Sequence, residues 1–150
     1  MEKSKAHFPA AIPRSNFSEP FWEGTRHRRL FLQYCPRARR YQFFPRPVSI
    51  FTGRRELEWK EVSGRGSLYS YTIARMAPKA FRDRVPYIIA LVELDEKVRL
   101  ISGLLNVQET DVRIGMAVEP VWIPNPDGTH LLHFQPADPL IRVSNPGPLQ

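Results

Sequence analysis

Four positions between residues 35 and 52 have the spacing of a tetrahedral zinc site. Cys35 and Ala38 form one pair with two residues between them, and Ser49 and Thr52 form a second pair after ten further residues. Zinc requires about four thiolate, imidazole or carboxylate ligands, whereas this set offers one thiol, one methyl group and two hydroxyls. The sequence therefore predicts a zinc-ribbon backbone of two knuckles that holds no metal.

A ribbon without metal must be held together by packing. Six aromatic residues in or beside it are candidates for that core, namely Tyr34, Tyr41, Phe43, Phe44, Phe51 and Trp59. Truncating a buried aromatic side chain costs about 3–5 kcal/mol. We therefore expect Phe44→Ala to loosen the ribbon more than Cys35→Ser.

The same region is strongly basic. From Arg26 to Arg55 there are nine arginines and no acidic residue, interleaved with aromatic residues. Cations neutralise phosphates and aromatic rings stack on bases, so the pattern fits single-stranded nucleic acid. It fits equally a coenzyme that carries phosphates and a purine. A third interpretation is that the arginines are solvated and the aromatics fill a small core.

A second basic and aromatic group lies in the segment 76–87. It is predicted to be a loop between two strands, at the mouth of a barrel where ligands bind. Its cations can grip phosphates while its rings stack on a base or shield an acyl chain, although a solvated connector is the alternative. The predicted binding residues are Lys79, Phe81, Arg82, Arg84 and Tyr87, with Arg65 as a further contributor.

Groups that could catalyse a reaction are scarce. The chain has four histidines and one cysteine, and they are widely spaced. His130 and His133 lie three residues apart on a predicted strand, so they point to opposite faces of the sheet. The flanking arginines could lower the pKa of Cys35, but the sequence indicates no histidine or helix N-terminus that would activate it. We therefore predict no catalytic residue and no enzyme activity of the chain alone.

The segment 64–105 supplies the elements that would position these residues. Apolar residues alternate along its strands, and apolar residues also occur on the opposite face. Glycines at 64, 66 and 103 permit the close backbone approach that a small closed barrel needs. Three of the five predicted barrel strands lie in this segment, at Ser67–Arg75, Tyr87–Asp95 and Val98–Leu105. The other two follow it, at Met116–Ile123 and Thr129–Gln135.

Composition sets the remaining bounds. The chain has 150 residues, 15 prolines and a formal net charge of +7, which fits one main domain and an anionic partner. No apolar run is long enough to span a bilayer, and the first five residues lack the hydrophobic stretch of a signal peptide, so we expect a cytoplasmic protein. The predicted segments are an arm with a short helix at 1–28, the ribbon at 29–60, the barrel at 61–137 and a proline-rich tail at 138–150.

Five stretches together resemble a known family. LFLQYC, FFPRPVS, LEWKEVSGRGSLYSYTI, PYIIALVELDEKVRLISGLL and DVRIGMAVEPVW are similar to the rubredoxin-like zinc ribbon plus OB-fold family, a domain of unknown function of the thirty-five type. The resemblance spans about residues 17–136. It implies a mainly β fold with a short N-terminal helix, a ribbon and a five-stranded OB-fold barrel.

The resemblance also implies a function. Several members of the family that this chain resembles are non-catalytic subunits of thiolase, acyltransferase, aldolase or hydratase complexes that help to hold acyl-CoA. The resemblance therefore implies that this chain is an accessory subunit that docks on a thiolase-like, aldolase-like or hydratase enzyme. The lost cysteines remove the family's zinc from this chain. The expected ligand is therefore acyl-CoA shared with a partner, with no bound metal, and the alternative is a nucleic-acid-binding OB-fold protein.

Overall fold

The computed structural model describes residues 15–143. Residues 1–14 and 144–150, which include His7 and parts of the predicted arm and tail, lie outside the described residues. The helix and strands, in chain order, are α1 Glu19–Arg26, β1 Leu30–Cys35, β2 Arg40–Gln42, β3 Glu58–Val62, β4 Gly66–Ala74, β5 Tyr87–Leu94, β6 Arg99–Leu104, β7 Ala117–Pro124 and β8 His130–Pro136.

Five strands close into a barrel in the order β4-β5-β6-β8-β7. Neighbouring strands are antiparallel except for the parallel pair β6 and β8. Buried and partly exposed residues alternate along β5, as the period of two predicts, and Phe134 of β8 is fully buried in the same core. The mainly β fold with a five-stranded OB-fold barrel is therefore confirmed.

Two of the predicted close approaches occur at glycines in the barrel wall. A Cβ on Gly66 would collide with the backbone carbonyl of Glu93 on the neighbouring strand. A Cβ on Gly103 would stand 2.5 Å from Cδ2 of His133, because the imidazole ring lies against that position. Both strands can pass their neighbours closely only because no side chain intervenes.

The ribbon is a separate three-stranded antiparallel sheet in the order β2-β1-β3. Leu30 and Leu32 of β1 and Val62 of β3 belong to the same buried cluster as the barrel interior. The ribbon sheet and the barrel therefore share one continuous core. Strand β3 runs across the predicted boundary between residues 60 and 61.

Helix α1 packs between the ribbon and one end of the barrel. A Cβ on Gly24 would lie 2.5 Å from Cδ2 of Phe31, so this glycine lets the helix approach β1. On the barrel side, the guanidinium of Arg26 donates to the carbonyl of Asp127 at 3.0 Å. No helix among residues 15–143 is both long and apolar enough to cross a membrane.

The aromatic residues of the ribbon do not all pack as expected. Phe44 is 65 % exposed and contacts Phe43 in a stacked arrangement with 4.6 Å between ring centroids. The prediction that Phe44 is a core residue is therefore wrong. It follows β2 in an irregular segment, and the buried space between this segment and the sheet is occupied by the two glutamines described below.

Candidate functional site

The structure brings the four knuckle positions together. Cys35 and Ser49 are each only 1 % exposed. The Ser49 hydroxyl lowers the pKa of the Cys35 thiol, with smaller contributions in the same direction from the Ala38 backbone N–H and the Thr52 hydroxyl, while burial acts against them. Hydroxyl and N–H donors around a sulfur favour the thiolate form.

The two knuckles have a similar backbone conformation. Arg39 follows the first pair with φ 52°, and Gly53 follows the second pair with φ 70°. In the second knuckle, the Gly53 N–H donates to the Ser49 carbonyl at 2.8 Å. Each knuckle is thus followed by one residue in the left-handed backbone conformation, and the Cys35 sulfur lies buried between the knuckles.

This set of side chains does not fit zinc. The methyl group of Ala38 has no donor atom, and the two hydroxyls are weak ligands compared with thiolates. No cluster of three or more His, Cys, Asp or Glu that could hold a metal occurs among residues 15–143. We therefore assign no metal-dependent step to the ribbon.

Two buried amides connect the segment after β2 to the ribbon sheet, which sequence reasoning missed. Gln33 and Gln42 are partners in the β1–β2 register and are 4 % and 2 % exposed. The Gln33 amide donates to the Arg46 carbonyl and accepts from the Arg46 N–H, both at 2.8 Å. The Gln42 amide donates to the carbonyl of Val48 at 3.2 Å and accepts from the N–H of Ile50 at 2.9 Å. The available signal was a glutamine at an inward-facing strand position, where an apolar residue is expected.

The arginines of the knuckles lie on the surface. Arg37 approaches Glu56 at 4.0 Å, and the Arg40 guanidinium lies 4.4 Å from the ring centroid of Phe51. The exposed arginines of this surface, which we call the ribbon arginines, are Arg37, Arg39, Arg40, Arg46, Arg54 and Arg55. They give the ribbon six exposed cations between residues 37 and 55.

The predicted binding loop joins β4 to β5 and contains one short 3-10 helix, Lys79–Arg84. Its start is tied to the connection before β7, since Arg75 donates to the Glu109 carboxylate at 2.7 Å. Lys79 and Arg82 are exposed, while Phe81 and Tyr87 are partly buried. Two exposed cations and two partly buried rings therefore belong to one connection at one end of the barrel.

The other two predicted binding residues, Arg84 and Arg65, are not among the exposed cations of the loop. Arg84 is only 8 % exposed, and its guanidinium lies 5.4 Å from the ring centroid of Phe81, so it supports the loop from within. Arg65 precedes β4, and its carbonyl accepts from the N–H of Asp95 beyond the far end of β5. At about 3.3 Å per residue, the length of β4 separates Arg65 from the loop by about 26 Å.

The described histidines are dispersed. His130 contacts the Thr25 carbonyl through Nδ1 at 2.9 Å, and the exposed His27 lies 3.4 Å from Glu23. His133 lies on the outside of β8, where burial lowers its pKa. No histidine is among the groups that shift the pKa of Cys35, so residues 15–143 do not assemble a cysteine–histidine pair.

Comparisons with known proteins agree with this architecture. The model of the ChsH2 C-terminal OB-fold domain matches residues 59–123. A probable enoyl-CoA hydratase alpha subunit from Thermomonospora curvata is 34 % identical over 140 residues, which cover 92 % of this chain and 43 % of that protein. A DUF35 domain-containing scaffold protein from Methanocaldococcus jannaschii is 41 % identical over 82 residues, which cover 53 % of this chain and 58 % of that protein. The chain thus spans about half the length of these curated relatives.

A solved structure extends the likeness to the ribbon. The chain described as Ltp2-ChsH2(DUF35) aldolase superposes with a TM-score of 0.76 at 30 % sequence identity. The match covers 85 % of this chain and 100 % of that chain. A match of this extent exceeds the barrel alone and includes elements that precede it.

Proposed function

Because this chain belongs to the DUF35 family of OB-fold proteins, we propose that it is a non-catalytic accessory subunit of an enzyme that acts on acyl-CoA. The observation that carries the proposal is the match to the aldolase structure, which covers 100 % of the matched chain and 85 % of this chain. The hydratase alpha subunit, matched over 92 % of this chain, supports the same class of substrate. The partner is an aldolase-like, hydratase or thiolase-like subunit.

The loop between β4 and β5 is the proposed contact with the coenzyme. Acyl-CoA carries phosphates and an adenine, so a surface that holds it needs exposed cations beside an aromatic wall. Lys79 and Arg82 supply the cations, and Phe81 and Tyr87 supply the rings. Each exposed cation contributes on the order of 1 kcal/mol, so weak binding by the isolated chain and tighter binding in the complex are expected.

The roles of Arg84 and Arg65 differ from this contact. Arg84 positions the Phe81 ring from the buried side of the loop. Arg65 lies at the other end of β4, so the proposed contact does not include it.

The experiment compares two double variants of the assembled complex. Lys79→Ala with Arg82→Ala removes two cations from the loop, and Arg54→Ala with Arg55→Ala removes two from the ribbon as a matched control. We expect acyl-CoA affinity to fall about ten- to thirtyfold in the first variant and to stay unchanged in the second. Equal affinity of both variants would contradict the loop contact.

Two further readouts test the function itself. The purified chain should show no acyl-CoA turnover, and measurable hydratase, aldolase or thiolase activity in a preparation of this chain alone would contradict a non-catalytic role. The ribbon arginines are the observation that favours the nucleic-acid alternative. Tight, salt-sensitive binding of a single-stranded oligonucleotide that is lost in the Arg54 and Arg55 variant would support that alternative.

A further inference from the structure

Eight outward positions on four neighbouring barrel strands carry no acidic or basic side chain other than one histidine. Strands β5, β6, β8 and β7 turn Ala90, Leu100, Phe134 and Val118 into the core, so the alternate positions of each strand point outward. We call this surface the outer apolar face. It consists of Ile89, Leu91, Ile101, Gly103, Val121, Ile123, Leu131 and His133.

The strand register makes the face continuous. Ile89 is the partner of Gly103, and Val121 is the partner of His133. The His133 ring lies against Gly103 and so joins the two pairs into one row across four strands. A second row lies beside it and consists of Leu91, Ile101, Leu131 and Ile123.

The composition of this face differs from that of an outward sheet surface in contact with water. Antiparallel sheets place polar residues on a solvated face, and the adjacent strand β4 does so with the exposed residues Ser70 and Thr72. On the outer apolar face, Ile101 is 73 % exposed. The other seven positions of the face are partly exposed. A contiguous, solvent-accessible apolar patch with polar edges is typical of a protein interaction site.

The charges at the edges of the face are already matched. Arg99 pairs with Glu93 at 3.0 Å at one end, and Arg142 pairs with Glu119 at 2.7 Å at the other. His133 stays neutral near pH 7 because burial lowers its pKa. A phosphate-bearing ligand therefore finds no free cation on the face, whereas the uncharged apolar surface of another protein fits it.

The net charge of the chain distinguishes between two such proteins. A second copy would bring another formal charge of +7, and like charges oppose association. A different subunit that is neutral or acidic meets no such opposition. The charge balance thus favours a heterologous partner over a homodimer.

We propose that the outer apolar face docks this chain on the enzyme subunit of the acyl-CoA complex. The inference rests on the proposed function and adds the surface that is used. Tyr87, at the end of the binding loop, lies two residues before Ile89 on the same side of β5. A coenzyme held by the loop would therefore stand beside the docked enzyme, in a position that both subunits can contact.

The test uses matched charge insertions. Ile101→Glu places a carboxylate in the face, and Ile114→Glu places one at a residue of similar exposure, 68 %, in the connection before β7. Each variant of the 150-residue chain is co-expressed in turn with a hydratase, an aldolase and a thiolase-like subunit. Affinity is then measured by titration, and stoichiometry by light scattering. We expect at least about a tenfold loss for Ile101→Glu and no loss for Ile114→Glu.

A second variant controls for the possibility that Ile101→Glu weakens binding by unfolding the chain. Ile123→Thr lies on the opposite edge strand of the face and keeps a β-branched side chain, so it should weaken the complex without lowering the melting temperature of the free chain. If the wild-type chain binds a subunit and both face variants bind it equally well, the docking surface is refuted while the proposed function stands. If the wild-type chain binds none of the subunits but self-associates, and Ile101→Glu makes it monomeric, both the heterologous partner and the proposed function are refuted.

Discussion

The side-chain amide nitrogen of Gln42 donates a hydrogen bond of 2.8 Å to the side-chain amide oxygen of Gln33 inside the ribbon, where both residues are buried. Each amide also bonds to the backbone of the segment that follows β2. In a zinc ribbon the metal joins the two knuckles, whereas here the amide pair holds this segment against β1 and β2. The relationship explains how the ribbon can keep its shape with one cysteine.

The first prediction concerns this amide pair. Gln33→Ala should lower the free energy of unfolding by about 1–3 kcal/mol, because it removes the partner of the Arg46 N–H and carbonyl and one of the hydrogen bonds of the Gln42 amide. Phe44→Ala should have a much smaller effect, since Phe44 is 65 % exposed. Urea unfolding followed by tryptophan fluorescence measures both. A larger effect at Phe44 would restore the expectation drawn from the sequence and contradict the role of the amides.

The second prediction concerns the metal. The wild-type protein should contain no stoichiometric zinc by elemental analysis, and a chelator should leave its melting temperature unchanged. The triple variant Ala38→Cys, Ser49→Cys and Thr52→Cys should gain about one zinc per chain, because these positions surround the Cys35 sulfur and four thiolates complete a tetrahedral site. The pair Ala38→Ser and Thr52→Ser serves as a control that adds no thiolate. Zinc in the wild-type protein, or none in the triple variant, would contradict this arrangement of the four positions around the Cys35 sulfur.

The third prediction concerns pH. Burial lowers the pKa of His133 in the folded protein, while the unfolded value lies near 6.5. The unfolded state therefore binds more protons as the pH falls below about 6.5, and the free energy of unfolding should decrease towards pH 5. His133→Gln should flatten this dependence in urea titrations at several pH values. An unchanged slope for His133→Gln would assign the pH dependence to other groups.

The fourth prediction separates two glycines. Gly66→Ala should destabilise the barrel more than Gly103→Ala, because the added methyl group meets the backbone of Glu93 in the first case and the His133 side chain in the second. Overpacking of this kind costs about 1–3 kcal/mol, and a side chain can move aside where a paired strand cannot. Thermal unfolding of the two variants gives the comparison. A more severe effect at Gly103 would mean that the His133 ring is held rigidly in place.

The sequence by itself determined the barrel and the family. Alternation along β5 identifies inward residues such as Val92 without any tertiary information, because side chains on a strand point to opposite faces with a period of two. Turn residues then limit the strands to within one or two residues of their observed ends. The spacing of Cys35 and Ser49 likewise indicated two knuckles, since ligand spacing is a local property of the chain.

The tertiary structure alone decided which residues share a surface. Lys79 and Arg84 lie five residues apart, yet one is exposed and the other is buried under Phe81, because burial depends on the neighbours that packing supplies. The outer apolar face combines residues of four strands, and only the register and the parallel pairing of β6 with β8 place Gly103 beside His133. The pattern of one strand predicts which face a residue occupies, but not which residues of other strands lie next to it.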